Sequence, residues 1–325
     1  MKTFFRSLFL VIAVIALAAF SYFKFILPRA EAAPDLKISV SAAGLARGKY
    51  LANHVMVCMD CHSTRDQNYF AAPIIPGTEG KGGERFDQLK GFPGSYVAQN
   101  LTPDHLGSWT DGEIFRTLTT GVNKTGKALF PVMPYLSYGK LDKNDIYNVI
   151  AYIRTLKPIS NQTEASKSDF PMSLIINTIP QKAAFTKIPD VKDAVAYGKY
   201  MVNAAACADC HTPQEKGEKI AELSFAGGME FDLPGMTITS ANITPDPVTG
   251  IGNWTEQQFV SRFKANDPAT HPTKKLNKGE MQSIMPWTMY AGMDTTHLKA
   301  IYQYLRTVKP INHRIEKMKA TLAKN

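Results

Sequence analysis

An all-α fold, built from two repeated units behind one membrane-spanning helix, is what three features of the 325-residue sequence predict. The chain repeats itself at long range, its apolar residues recur at helical spacing with little alternation of period 2, and it begins with a long uncharged run. Gly48-Lys49-Tyr50-Leu51 answers Gly198-Lys199-Tyr200-Met201, and Asn100-Leu101-Thr102-Pro103-Asp104 answers Asn242-Ile243-Thr244-Pro245-Asp246. Trp109-Thr110 answers Trp254-Thr255, Met133-Pro134 answers Met285-Pro286, and the run from Tyr152 to Ile159 answers that from Tyr304 to Ile311. The offset drifts between 142 and 152, so insertions fall between the fixed points. A period this long means duplicated domains rather than a solenoid. The expected division is a membrane segment over 1–30, a first unit over 41–160, a linker over 161–190, a second unit over 191–312 and a basic tail over 313–325.

Taken in order, the first element is the run from Ser7 to Phe23, 17 residues without charge between Arg6 and Lys24. That is longer than the usual signal-peptide core and within the range that spans a bilayer. Ala30-Glu31-Ala32 is a tolerable cleavage site but lies well past the apolar run, so an uncleaved anchor is expected. Residues 44–57 and 194–206 are predicted as helices running straight into cysteine pairs. Thr110-x-x-Glu113 and Thr255-x-x-Gln258 are capping boxes that open the middle helices. The last helices start near Asp142 and Asp294 and stop before Pro158 and Pro310, where proline cannot continue the pattern.

Those cysteine pairs carry the chemistry. Cys58-Met59-Asp60-Cys61-His62 and Cys207-Ala208-Asp209-Cys210-His211 are two copies of C-x-x-C-H and use all 4 cysteines of the chain. The motif is the attachment site of c-type haem, with two thiols forming thioethers and the histidine ligating the iron. A thioredoxin-like pair needs no following histidine, and a four-cysteine zinc ribbon wants its pairs about 15–20 residues apart. Here 145 residues lie between Cys61 and Cys207. A disulfide framework belongs to small cysteine-dense chains. Two covalently bound haem c groups are therefore expected, on Cys58, Cys61, Cys207 and Cys210, with His62 and His211 as proximal ligands.

The second axial ligand decides what the iron can do. Among 13 methionines only Met133 and Met285 recur at matching positions, each before a proline and 71 or 74 residues beyond its histidine. The rest read as packing. His54, His105, His271 and His297 are rivals, but none has a counterpart in the other unit. Met/His ligation fills both axial positions, raises the potential and leaves no vacant site, so such an iron passes electrons. Asn100, Trp109, Asn242 and Trp254 are candidates to donate hydrogen bonds to haem propionates, or simply a turn residue and a packing aromatic in each unit.

Each unit resembles a class I cytochrome c domain: a first helix ending in C-x-x-C-H, a loop presenting methionine before proline, and a last helix carrying an aromatic residue. The resemblance implies that first and last helices cross, Gly48 with Tyr152 and Gly198 with Tyr304. The arrangement of N-[IL]-T-P-D, W-T and M-P is similar to the cytochrome subunits of membrane-bound alcohol and gluconate dehydrogenases over roughly residues 41–312. Those subunits carry three C-x-x-C-H sites where this chain has two.

Charge narrows the partners. Residues 1–29 carry four positive and no negative charges and residues 306–325 six and one, so the net +9 resides at the ends and the middle is neutral. Arg314, Lys317, Lys319 and Lys324 read as a solvated helix end or a contact with anionic headgroups, and no motif supports nucleic acid. The linker segment Met172 to Ile179 is apolar enough to lie against a domain. The reading is an electron-transfer protein rather than an enzyme, anchored in the bacterial inner membrane with its haem domains on the periplasmic side. It would take electrons from a periplasmic dehydrogenase or quinol-oxidising complex and give them to an oxidase or soluble cytochrome. The alternative is a dihaem redox enzyme, peroxidase-like or thiosulfate dehydrogenase-like; the former needs an iron that opens and the latter a spare cysteine ligand.

Overall fold

The computed structural model describes residues 1–28, 31–215, 217–233 and 235–320. Ala30 of the cleavage-site reading and Lys324 of the basic tail lie outside the described residues. Helix α1, Lys2–Ser21, continues in a π turn over Tyr22–Ile26, and none of its residues is buried. Together they are long and apolar enough to cross a membrane.

The first half opens with α2, Ala42–Tyr50, capped by the Ser41 hydroxyl and prolonged by a π turn over Leu51–Val55. The short α3, Cys58–Cys61, comes next. Strands β1, Arg85–Phe86, and β2, Gly94–Val97, pair antiparallel. After α4, Pro103–Leu106, helix α5 spans Asp111–Thr120, and its capping box is formed as predicted, with Thr110 and Glu113 each accepting the other's backbone N–H. The turn α6, Tyr135–Tyr138, precedes α7, Lys143–Arg154, capped by Asp142. The linker supplies β3, Lys167–Ser168, on the free edge of β2, and α8, Met172–Ile175. It is tied down along its length. The Ala184 N–H donates to the Gly139 carbonyl, Phe185 stacks on Phe115, and the Asn177 amide reaches the Phe23 carbonyl at the end of α1.

The second half repeats the plan with α9, Ala194–Ala204, and α10, Cys207–His211. Strands β4, Gln214–Glu215, and β5, Glu218–Lys219, form a small ladder, and β6, Glu230–Leu233, pairs with β7, Met236–Thr239. Helix α11, Glu256–Lys264, starts at the expected Thr255–Gln258 capping box. The turn α12, Trp287–Tyr290, leads to α13, Thr295–Leu305. The tail then forms β8, Met318–Ala320, on β7, and Lys319 pairs with Glu230 at 2.9 Å. The helix end expected there is a strand.

First and last helices cross in each half where the repeated glycines permit it. A Cβ on Gly48 would overlap the Asn148 carbonyl, one turn before Tyr152, and one on Gly198 would overlap the Ala300 carbonyl and press on Tyr304. Leu51, Val55, Ile146 and Ile150 from one half and Met201, Leu298, Ile301 and Leu305 from the other belong to one buried apolar cluster. Helices account for about 40% of the chain, and the small antiparallel sheets depart from an all-α reading. Strands of two to four residues are too short to show alternation in a sequence.

Candidate haem-attachment sites

The first helices do not run straight into the cysteine pairs. Val57 and Ala206, each directly before its first cysteine, sit in the left-handed region at φ 45° and 51°. A side chain held there is strained, the β-branched Val57 most of all, and finding the same break in both halves points to a function for it. It ends one helix and re-aims the chain into a new one-turn helix that presents both cysteines. None of the four cysteines is in a disulfide. Burial pushes the Cys58 and Cys207 thiols up to about 12, as expected of neutral thiols kept from water.

The two histidines are fixed in the same way. His62 Nδ1 lies 2.6 Å from the Gln99 carbonyl and His211 Nδ1 lies 2.7 Å from the Ala241 carbonyl. A carbonyl only accepts, so each Nδ1 carries the proton and each Nε2 keeps its lone pair. Burial lowers both imidazole pKa values, against the opposing carbonyl contact, which favours the neutral ring a metal requires. The main chain repeats the grip. His62 and His211 carbonyls accept from Gly82 and Gly227, and Ser63 and Thr212 hydroxyls accept from Gly80 and Phe225. The aspartates inside the motifs are held by cations, Asp60 by Arg65 at 3.2 Å and Asp209 by Lys219.

The accepting carbonyls immediately precede the repeated N-[IL]-T-P-D segments, which explains those segments better than propionate binding. The Asn100 amide donates to Ile159 while its oxygen accepts from Thr102, and Asn242 does the same with Ile311 and Thr244. Both asparagines join the turn that follows them to the segment after the last helix, and Asn242 also donates to the Thr249 hydroxyl. Trp109 packs against the core, and Trp254 is 37% exposed.

Met133 and Met285 are half-buried against the core cluster, and each is followed by a proline of nearly the same conformation, φ −78° and ψ 53° at Pro134, φ −77° and ψ 65° at Pro286. Tyr138 and Tyr290, which sequence reasoning missed, connect these loops to the motifs. Each lies five residues after its methionine, is buried, and donates to a carbonyl just ahead of the left-handed residue, Tyr138 to Met56 and Tyr290 to Ala205, both at 3.0 Å. The spacing M-P-x-x-x-Y in both units was the available signal. The rival histidines are engaged elsewhere. His54 Nδ1 donates to Met289, His297 uses both ring nitrogens on Tyr50 and Tyr197, His105 packs on Trp109, and His271 is exposed beside Thr270.

Two thiols, a pinned imidazole with one open nitrogen and apolar surroundings suit a covalently held haem at each motif. Comparison with known proteins agrees. Residues 195–309, about a third of the chain, match the family model described as cytochrome c. The chain is similar to the cytochrome c subunit of a quinone alcohol dehydrogenase of Komagataeibacter europaeus, 26% identical over 286 residues, 83% of this chain and 57% of that one. It is 28% identical over 296 residues to the fructose dehydrogenase cytochrome subunit of Gluconobacter japonicus, 86% of this chain and 56% of the other. A diheme cytochrome c-type protein of Cereibacter sphaeroides is 27% identical over 198 residues, 58% of this chain and 63% of that one. The chain spans about half the length of the dehydrogenase cytochrome subunits it matches.

Proposed function

We propose that this chain is a membrane-anchored dihaem cytochrome c, two tandem class I domains that relay electrons from a dehydrogenase or quinol-oxidising complex to an oxidase or soluble cytochrome. Cys58 and Cys61 hold one haem and Cys207 and Cys210 the other, with His62 and Met133 at one iron and His211 and Met285 at the second. The observation that carries this reading is the paired pinning of His62 and His211 on backbone carbonyls, which leaves each Nε2 as a lone-pair donor directly after two cysteines that form no disulfide. When bound, the haems supply one-electron chemistry. The protein's own residues fix the tautomer, exclude water through the Tyr138 and Tyr290 turns, and present a thioether from each Met-Pro loop. Helix α1 supports an anchor in the bacterial inner membrane with both domains on the periplasmic side, and the dehydrogenase relatives support such a partner.

Mass spectrometry of the mature protein is expected to add two haems to the polypeptide, and Cys207→Ala with Cys210→Ala to leave one. Met133→Ala and Met285→Ala should each remove about half of the near-infrared thioether-to-iron band and open one iron to carbon monoxide. Free thiols in protein from a maturation-competent host, or a band untouched by either methionine variant, would sink the assignment.

A further inference from the structure

We infer that the turn carrying Leu89 and the linker from Asp169 to Ile176 form a second membrane contact, an apolar patch lying in the headgroup–acyl boundary beside the exit of α1. Leu89 is 85% exposed, Phe170 81% and Ile175 44%. Single exposed apolar residues need no explanation, but these three are built into one place. The Gln88 amide donates to the Asp169 carboxylate at 2.7 Å, and the Asp169 N–H donates to the Pro93 carbonyl at 3.0 Å. The pairing of β3 with β2 thus brings the segment that carries Phe170 beside the turn that carries Leu89, and the Ser173 N–H turns the chain back onto the Asp169 carbonyl at 2.8 Å to start α8.

Continuity with α1 identifies the occupant. Directly after α8 the Asn177 side chain donates to the Phe23 carbonyl at 3.0 Å, and Phe23 closes the uncharged run of α1. The patch therefore stands at the level where α1 leaves the hydrocarbon, which is where an aromatic and aliphatic residues with one polar side settle at a bilayer surface. Lys24 and the exposed Lys167 flank it, with the charge that anionic headgroups attract. A helix alone leaves the attached body free to swing. A helix with an adjoining patch fixes which face of the body looks along the membrane, and so which edge meets a redox partner. This inference rests on the reading of α1 as an anchor.

The test uses the full chain, matured with haem, reduced, and reconstituted into phosphatidylcholine–phosphatidylglycerol vesicles. Leu89→Cys and Phe170→Cys would carry a nitroxide label, with Val248→Cys, 68% exposed in the second half, as the aqueous control. Collision with oxygen relative to a water-soluble nickel chelate should be several-fold higher at residues 89 and 170 than at 248. Equal accessibility at all three in protein that resists carbonate extraction would overturn the patch and leave the anchor standing. Release by carbonate would overturn both. Labels open to nickel in vesicles but shielded from both agents when a dehydrogenase subunit is added would make the surface a protein interface and overturn the lipid assignment.

Discussion

Asp145 and His297 hold the same place in the two halves, the third residue of α7 and of α13, and the structure solves that place in two chemically different ways. Asp145 accepts from Arg47 of its own half at 2.9 and 3.1 Å and from Tyr200 of the other at 2.7 Å. His297 contacts Tyr197, the counterpart of Arg47, at 3.0 Å and Tyr50, the counterpart of Tyr200, at 2.6 Å. Around these centres the backbone bonds are alike: Tyr200 accepts from the Asp142 N–H and Tyr50 from the Asp294 N–H. Both halves keep a tyrosine on the N–H of the helix N-cap, whereas the buried centre need only be internally satisfied. One half uses a charged pair and the other a neutral one. Although burial opposes its charge, Asp145 holds the Arg47 guanidinium above its ordinary value, and burial pulls the His297 ring below its own.

The comparison is tested most severely at the helix crossings, where the halves should behave the same. Gly48→Val and Gly198→Val each drive a side chain into a backbone carbonyl that cannot move without parting the helices. Each should cost on the order of 3 kcal/mol or more in denaturant unfolding of the purified protein. A variant that unfolds with the wild type would show that the crossing is looser than drawn. At the polar centres the halves should differ. Asp145→Asn leaves the part-buried Arg47 without its carboxylate and is expected to cost about 3 kcal/mol, while His297→Gln, which removes no charge pair, should cost about 1 kcal/mol. Equal losses would mean that the ion pair adds nothing beyond its hydrogen bonds.

How far the sequence carries depends on whether a feature is local. Both capping boxes and the final helices were legible because each depends on residues a few positions apart, whereas the glycine crossings were what the family resemblance implied. The left-handed Val57 and Ala206 were not, because no propensity places a valine or an alanine there. The strands were hidden by shortness and the linker by its contacts, since its tie to Phe23 joins residues 154 apart. Within the site, donor types and spacing were readable, but the Gln99 and Ala241 carbonyls were not, being main-chain groups that any residue supplies.

Tyr138 and Tyr290 mark the middle of this range and sharpen the comparison at the sites themselves. Each phenol is buried, burial pushes its pKa well above the ordinary value, and its single acceptor lies just ahead of the cysteine motif. Tyr138→Phe and Tyr290→Phe should each cost about 1 to 2 kcal/mol. If the Met-Pro loops serve as proposed, each variant should also weaken the thioether band of its own haem only. A loss of intensity at both haems from one substitution would show that the halves are coupled through this pair.

The smallest expected effect is a pH dependence confined to the second half. His297 is faced by Tyr50 and Tyr197 through its two nitrogens, by Asp294 at 3.7 Å, and by Arg47 and Asp145 from the first half. Burial lowers its folded pKa below the ordinary 6.5, outweighing the attraction of Asp294. The unfolded chain therefore binds more protons in the window between the two values, and folding stability rises with pH across it. The contribution is fully present above the ordinary histidine value and is lost as the pH falls through the folded one. Wild type and His297→Gln should accordingly differ most near neutrality and converge on acidification from about pH 7 to 5. Asp145→Asn, which removes a carboxylate facing the ring and leaves the Arg47 cation, should lower the folded pKa of His297 further and extend the loss of stability to lower pH. Parallel curves for wild type and His297→Gln would show that the ring titrates alike in both states and that the two centres differ in composition but not in their response to protons.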